Sequence, residues 1–286
     1  MNRVTRLLTG TGTVLLLAAL LGCGGEQPAA LSGEVRVEIQ QGRTDYSSGA
    51  IVIRVVNESE NDVALRQVTL VTPAFPESPP WDRGTTVRAG TTVDLRTPLP
   101  EPDCSESTDA PRVSLEFRSR EGAGTVQLLA SDPLGTLLRL HDESCVAEEV
   151  ERLATITVGA PQVTGTLATS VASLPITFAP TGADGTLSVT GVASTPLLKP
   201  APPATGAAAK DWTFALALTS SGDAVTEHLE IVPARCDPHA IAEDKVGTVL
   251  SLSVDTGSRT GSYRLVPPTD VTDALLAFVH DACGMP

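Results

Sequence analysis

The sequence predicts a mainly β protein built from two tandem antiparallel β-sandwich domains, each with a short C-terminal helix closed by a disulfide. The first indication is a series of short segments that alternate apolar and polar residues, as strands with one buried face do. The second is the Gly, Pro and Asn residues that separate these segments. The third is an internal repeat, in which a Pro-rich segment, a Trp and two Cys residues occur twice in the same order.

The internal repeat sets the expected domain boundaries. Its marker residues are Trp81, Cys104 and Cys145 in the first copy and Trp212, Cys236 and Cys283 in the second. The Trp precedes the first Cys by 23 and 24 residues, and the two Cys residues are 41 and 47 residues apart. We therefore expect domains at 33–148 and 149–286. They resemble immunoglobulin domains only in architecture, because antibody-type domains place the Trp between the two cysteines.

The element pattern is similar in both copies. In the first copy, strands are expected at 34–39, 50–56, 63–71 with a bulge, 85–99, 112–118 and 125–128. In the second copy, they are expected at 153–158, 173–178, 186–190, 213–218, 227–231, 250–254 and 262–265. Asp132-Pro133 predicts the start of a short helix carrying Leu134, Leu137 and Leu138. The spacing of Val271, Leu275, Phe278 and Ala282 predicts a second helix with one apolar face.

The N-terminus has the features of an export signal over residues 1–22. Arg3 and Arg6 precede an apolar run at 14–20, which is too short to span a bilayer. The residues Leu20-Leu21-Gly22-Cys23 resemble the lipobox of bacterial lipoproteins, and the resemblance implies that Cys23 carries fatty acyl chains such as palmitate. Residues 23–32 would form a tether, and the protein would lie on the outer face of the cell membrane. An ordinary secreted protein is the alternative.

The four remaining cysteines allow three pairings. The repeat favours Cys104–Cys145 and Cys236–Cys283, one pair within each copy. Metal ligation is the alternative, but the closely spaced cysteine pairs that are typical of zinc sites do not occur.

The charge of the chain argues against a nucleic-acid partner. The formal net charge is −14, and without residues 1–22, which hold two Arg and no acid, it is −16. Such a chain repels phosphate backbones. We expect no nucleic-acid binding.

No catalytic or cofactor-binding motif is present, and four histidines offer little general-base capacity. We therefore expect no enzymatic activity and no cofactor. An envelope hydrolase of unrecognised type is an alternative.

The His-Asp pairs that precede Cys145 and Cys283 are open to two interpretations. Each His would share a helix face with its disulfide sulfur, so packing against the disulfide is one interpretation. In the second copy, the disulfide would also bring His239 close to His280. With Asp237 or Asp281, the two imidazoles could bind Cu or Zn, which predicts a solute- or metal-binding lipoprotein.

Trp81 and Trp212 occupy the same repeat position, which favours core packing. Their Pro-rich approach segments leave a second interpretation, in which the two indoles form contact surfaces for a ligand.

The lipobox, the paired cysteines and segment 235–248 resemble uncharacterised exported lipoproteins of high-G+C Gram-positive bacteria. The resemblance implies export and anchoring, and no activity. The sequence thus predicts a non-catalytic binding or interaction module of the cell envelope. Its partners would be the membrane, through the lipid on Cys23, and an envelope protein or a small ligand.

Overall fold

The computed structural model describes residues 31, 34–42, 44–46, 48–203, 208–243 and 246–285. The expected signal peptide, Cys23 and most of the expected tether lie outside these residues. In the described part of the chain, no helix is long and apolar enough to cross a membrane. The protein is mainly β, as the sequence predicts.

The first half of the chain forms one seven-stranded sheet. Its strands are β1 (Val35–Gln40), β2 (Ala50–Asn57), β3 (Val63–Val71), β4 (Thr85–Val87), β5 (Thr91–Pro98), β6 (Arg112–Ser119) and β7 (Gly122–Ser131). They lie in the order β4-β3-β6-β7-β1-β2-β5. All pairs are antiparallel except β1 and β7, which pair in parallel over two residues. Alternation explains the buried face: in β6, Val113, Leu115 and Phe117 point into the core between polar neighbours.

The second half forms two further sheets. Its strands are β8 (Ala154–Val158), β9 (Gln162–Thr164), β10 (Val171–Pro180), β11 (Thr186–Ala193), β12 (Leu198–Pro200), β13 (Trp212–Thr219), β14 (Val225–Pro233), β15 (Leu250–Asp255) and β16 (Thr260–Leu265). One sheet has the order β12-β14-β10-β8, with β9 also paired to β10, and the other has the order β13-β11-β15-β16. If β9 and β12 are set aside, the two halves share one pairing scheme. The order β8-β10-β14 corresponds to β1-β2-β5, and the order β13-β11-β15-β16 corresponds to β4-β3-β6-β7.

A β-bulge marks the same position in both halves, first in β3. The pairing of β3 with β6 shifts between Leu65 and Gln67, which confirms the predicted bulge. Val68, just beyond the bulge, exchanges two backbone hydrogen bonds of 2.8 Å with Trp81. The bulge therefore sets where the first Trp joins the sheet.

The second bulge lies in β11, between Val189 and Gly191. Val192, just beyond it, pairs with Trp212. A Cβ atom at position 191 would lie 2.3 Å from the carbonyl oxygen of Trp212. Gly191 is therefore the residue type that permits this close approach of the two backbones.

The buried apolar side chains form two clusters, which we call the first core and the second core. The first core draws on residues from Val35 to Leu137, and the second on residues from Val146 to Ala282. Trp81 packs at the edge of the first core, and Trp212 lies inside the second.

Helix α1 (Thr136–Leu153) contributes to both cores. Leu137 belongs to the first core, whereas Val146 and Val150 belong to the second. The Asp132 carboxylate caps the helix, accepting hydrogen bonds from the backbone N–H groups of Thr136 and Leu137 at 2.7 and 2.8 Å.

Helix α1 departs from the sequence prediction in two ways. It is 18 residues long rather than short, and it contains the expected boundary at 148/149. Leu134 lies in the turn before the helix and is exposed. Position 135 adopts φ 60°, a conformation that glycine provides, so the helix begins only after Gly135.

The predicted C-terminal helix is confirmed as α3 (Thr269–Ala282). Its buried residues include the predicted stripe Val271, Leu275, Phe278 and Ala282. A further short helix, α2 (Pro238–Glu243), lies between β14 and β15.

The β15–β16 hairpin of the second half packs along α1. A Cβ atom at Gly261 would lie 2.9 Å from Val146 Cγ2, so the hairpin backbone approaches the helix closely. Tyr263 Oη donates to Glu151 at 3.4 Å, and burial raises the pKa of this phenol. Arg259 reaches past the helix and donates to the carbonyl oxygen of Cys104 at 2.6 Å.

The Arg54–Asp94 ion pair gives a testable pH dependence. Arg54 Nε and Nη2 donate to the two carboxylate oxygens at 2.7 and 2.9 Å, which lowers the pKa of Asp94 below its ordinary value. A lowered folded-state pKa stabilises the fold above the unfolded pKa of about 4, and this contribution is lost as the pH falls through the folded value. For Asp94→Asn we expect a loss of about 0.2–1 kcal/mol at pH 7 that fades in acid, because the pair is surface-exposed. Urea unfolding across pH would measure this.

The matched control is Glu116→Gln, since Glu116 lies 3.7 Å from Arg66 in a looser surface pair. Its loss at pH 7 should be smaller. Equal losses for the two variants, or an Asp94→Asn loss that grows in acid, would contradict the assignment.

Candidate functional site

The two disulfides join Cys104 to Cys145 and Cys236 to Cys283, the pairs that the sequence favours. Cys104 lies in the loop between β5 and β6, and Cys145 lies inside α1. Cys236 lies in the loop between β14 and β15, and Cys283 ends α3. Each disulfide therefore links a loop between two strands to the helix that follows the last strand of the same half of the chain.

His141 packs against the first disulfide. The ring is about 5% exposed, and its Nε2 atom lies 3.1 Å from the Asp103 carbonyl oxygen and 3.7 Å from Cys145 Sγ. The ring of Phe75 meets it edge-on at 6.1 Å. These contacts correspond to the packing interpretation of the His-Asp motif.

An open cleft of about 700 Å³ lies beside this disulfide and is the candidate functional site. We call it the Cys104 cleft. It is lined by Pro76, Glu77, Pro100, Glu101, Pro102, Asp103, Cys104, Ser105 and Glu148. Three separate segments supply these residues: the loop after β3, the loop after β5 and helix α1.

The Cys104 cleft is acidic. Its lining includes four carboxylates and no Lys or Arg. Ser105 donates side-chain and backbone hydrogen bonds to Asp103, which lowers the pKa of that carboxyl, so it is ionised at neutral pH. Glu148 Oε2 lies 3.2 Å from Cys104 Sγ. Such a surface favours cations and cationic side chains.

The prolines give the cleft its shape. Pro76, Pro100 and Pro102 line it, and each fixes its own φ angle. The Asp103 N–H donates to the Ala74 carbonyl oxygen at 2.9 Å, which ties the two loops together. The walls are thus held by proline, by a backbone hydrogen bond and by the disulfide. The sequence pointed to the Pro-rich segment before Trp81 and to Cys104, but not to Pro100 and not to the four carboxylates as a group.

The residues of the candidate metal site lie near the second disulfide. Asp237 Oδ1 accepts a hydrogen bond from the backbone N–H of His239 at 3.0 Å, so this oxygen already has a partner at the start of α2. His280 Nδ1 lies 3.6 Å from Asp281 Oδ1. Across the described ranges, no three His, Cys, Asp or Glu side chains are grouped closely enough to hold a metal ion. The predicted Cu or Zn site stays a prediction from the sequence.

The two tryptophans differ in exposure. Trp212 is 9% exposed, and its Nε1 donates to the Glu230 carbonyl oxygen at 3.0 Å, so its ring and its polar atom are both used inside the protein. Trp81 is half-buried against the first core. The contact role therefore stays a prediction for Trp81, whereas Trp212 serves the core.

Comparison with known proteins gives no family. No protein-family model matches the chain, and no curated protein matches it. Among solved structures, red sea bream transglutaminase overlaps 80% of this chain at 15% identity with a TM-score of 0.25, and this chain spans 29% of the transglutaminase chain.

Two further solved structures overlap in the same partial way. CBD12 from CALX1.2 shares 12% identity over 72% of this chain and 73% of its own, with a TM-score of 0.23. A protein of unknown function from Porphyromonas gingivalis W83 shares 17% identity over 81% of this chain and 98% of its own, with a TM-score of 0.20. Overlaps at these TM-scores carry no functional conclusion.

Removal of the first disulfide tests its role in holding α1. We expect the double variant Cys104→Ser, Cys145→Ala to lose about 2–4 kcal/mol of unfolding free energy, since the cross-link limits the unfolded chain. Ala is chosen at position 145 because the site is buried and a hydroxyl there would have to be desolvated. Denaturant unfolding would measure the loss.

The matched control is Cys236→Ser, Cys283→Ser, which removes the second disulfide. If each bond fastens its own helix, each double variant loses stability, and the combined variant loses about the sum. An unchanged free energy in the first variant would contradict a structural role for Cys104–Cys145.

Proposed function

We propose that this chain is a lipid-anchored protein of the outer face of the cell membrane that acts as a non-catalytic binding module. The observation that carries the proposal is the pair of disulfides, because disulfides persist in oxidising compartments and are rare in the cytosol. The fifth cysteine, Cys23, follows an apolar segment and a lipobox-like sequence. Acyl chains on Cys23 would hold the acidic body at the bilayer.

The finer architecture is part of the same proposal. We infer two tandem immunoglobulin-like sandwiches, each with a helix closed by a disulfide. The repeated strand pairs, the two bulges and the two hydrophobic clusters support this division. The boundary would fall within α1, which includes the expected position 148/149.

The Cys104 cleft is the proposed contact surface. Its carboxylates and rigid proline walls would suit a cationic segment of another envelope protein, since complementary charge steers association. Its volume of about 700 Å³ would accept a few side chains. Binding without catalysis agrees with the lack of a catalytic motif in the sequence.

Anchoring is tested by Cys23→Ser in the native host. Loss of the acylated cysteine should move the protein from the membrane fraction to the soluble extracytoplasmic fraction, because the body carries a strong negative charge and offers no electrostatic attachment. Fractionation with incorporation of a clickable fatty acid would measure both effects. A wild-type protein that takes up no fatty acid would refute the anchoring.

Binding at the Cys104 cleft is tested by in-cell photo-crosslinking from Ser105, which lines the cleft. We expect a discrete adduct that weakens when Glu101→Gln and Glu148→Gln are added, because the cleft then loses two of its four carboxylates. The matched control is a photoprobe at Ser221, an exposed turn residue. The same adduct from Ser221, or one that is insensitive to the two Gln substitutions, would contradict the cleft as the contact surface.

A further inference from the structure

The two cysteines of the first disulfide differ in exposure. Cys104 belongs to the wall of the open Cys104 cleft and is partly exposed. Cys145 lies inside α1 and is 1% exposed. Thiol–disulfide exchange begins when a thiolate attacks one sulfur of the bond, so access decides which sulfur reacts. A thiolate that enters the cleft therefore meets Cys104, while Cys145 is shielded from it.

The charges beside the two sulfur atoms favour the same direction of attack. Attack at Cys104 releases Cys145 as a thiolate, whereas attack at Cys145 would release Cys104. Glu148 Oε2 lies 3.2 Å from Cys104 Sγ, so a thiolate released on Cys104 would stand against a carboxylate. Exchange therefore favours Cys145 as the leaving group.

His141 places a hydrogen-bond donor beside the leaving sulfur. Its Nε2 atom lies 3.1 Å from the Asp103 carbonyl oxygen, which can only accept, so Nε2 carries a hydrogen. The same atom lies 3.7 Å from Cys145 Sγ. His141 and Cys145 are one helical turn apart in α1, so their contact does not depend on the disulfide. A thiolate on Cys145 is thus stabilised by an N–H donor as it forms.

We infer that the Cys104 cleft is a thiol–disulfide exchange site, in which the thiol of a cationic protein segment is captured as a mixed disulfide on Cys104. The incoming thiolate sulfur bonds to Cys104 Sγ, the Cys104–Cys145 bond breaks, and its electron pair stays on Cys145 Sγ. One disulfide is lost and one is formed, so the step needs no other oxidant or reductant. This inference rests on the cleft as the contact surface proposed above.

The acidic lining of the cleft selects the kind of thiol. Glu77, Glu101, Asp103 and Glu148 belong to this lining, which has no Lys or Arg. Their negative field repels an anionic thiolate and attracts a thiol that carries its own positive charge. The substrate class is therefore a thiol beside cationic groups, such as a cysteine flanked by Lys or Arg residues.

Contacts that do not involve the disulfide keep the two cysteines near each other after the bond opens. The Asp103 N–H donates to the Ala74 carbonyl oxygen at 2.9 Å, and Arg259 Nη2 donates to the Cys104 carbonyl oxygen at 2.6 Å. Cys145 is held within α1. Its thiolate can therefore attack the mixed disulfide, release the captured thiol and restore the original bond. The capture is reversible.

The experiment treats the full chain carrying Cys23→Ser with cysteamine, a small cationic thiol. This substitution removes the fifth cysteine, so the four disulfide cysteines are the ones that react and the result does not depend on anchoring. Acid stops the reaction before denaturation and alkylation, and peptide mass mapping locates the adduct. We expect cysteamine on Cys104 with a free thiol on Cys145, at least about tenfold over the reverse arrangement.

Equal amounts of the two arrangements, or opening of this disulfide only in denaturing urea, would overturn the exchange site. The outcome can be told apart from failure of the proposed contact surface. A cysteamine adduct on Cys104 without any photo-adduct from Ser105 would refute the protein contact and leave the exchange chemistry in place.

The charge of the probe tests the substrate class. At equal thiolate concentration and low salt, cysteamine should open Cys104–Cys145 at least about tenfold faster than the anionic 2-mercaptoethanesulfonate. In the double variant Glu101→Gln, Glu148→Gln this ratio should fall at least about threefold, because two of the four carboxylates are lost. The ratio at Cys236–Cys283 in the same molecule is the matched control and should stay the same. An unchanged ratio at Cys104–Cys145 would overturn the selection of cationic thiols.

His141→Leu separates a donor role of His141 from a packing role. Loss of the N–H donor should slow the opening of the first disulfide by cysteamine at least about fivefold. A packing role alone predicts faster opening, because the bond becomes less shielded. His280→Leu is the matched control and should leave this rate unchanged. Faster opening in His141→Leu would overturn the donor role, and the adduct position in the unsubstituted chain decides the exchange site even where this variant does not fold.

Discussion

Helix α1 is the element on which the rest of the structure depends, because its two ends belong to different hydrophobic cores. Leu137 packs into the first core and Val150 into the second, while the disulfide at Cys145 fixes the middle of the helix to the loop after β5. Arg259 adds a contact from the second half to the carbonyl oxygen of Cys104. One helix thus connects both cores and forms part of the Cys104 cleft.

Much of the β structure was predictable because it follows local rules. The alternation of apolar and polar residues predicted strands β1 and β6. The spacing of apolar residues in α3 predicted the helix face that is buried around Leu275. The length of α1 could not be predicted, because residues 148–152 are mostly charged and carry no clear apolar period. Their helical state comes from packing against the β15–β16 hairpin, which is a long-range contact.

The candidate site shows where single-sequence reasoning stops. Glu77, Glu101 and Glu148 are far apart in the chain, and no motif marks any of the three. Only the strand order brings their segments to one end of the first sheet. The His-Asp motif was visible because it repeats, but a repeat is also what shared packing produces, and His141 is indeed packed against sulfur.

The dual membership of α1 has a practical consequence for dividing the chain. A cut at the position suggested by the sequence repeat would split one continuous helix and leave Val150 and Leu153 behind in the C-terminal fragment without the turns that precede them. The N-terminal fragment would in turn expose the helix surface around Val146, which the hairpin residue Gly261 normally covers. Because Leu137 packs in the first core and Val146 in the second, a fragment of either half would present an uncovered apolar face even if it kept the whole of 136–153, and such a face promotes aggregation.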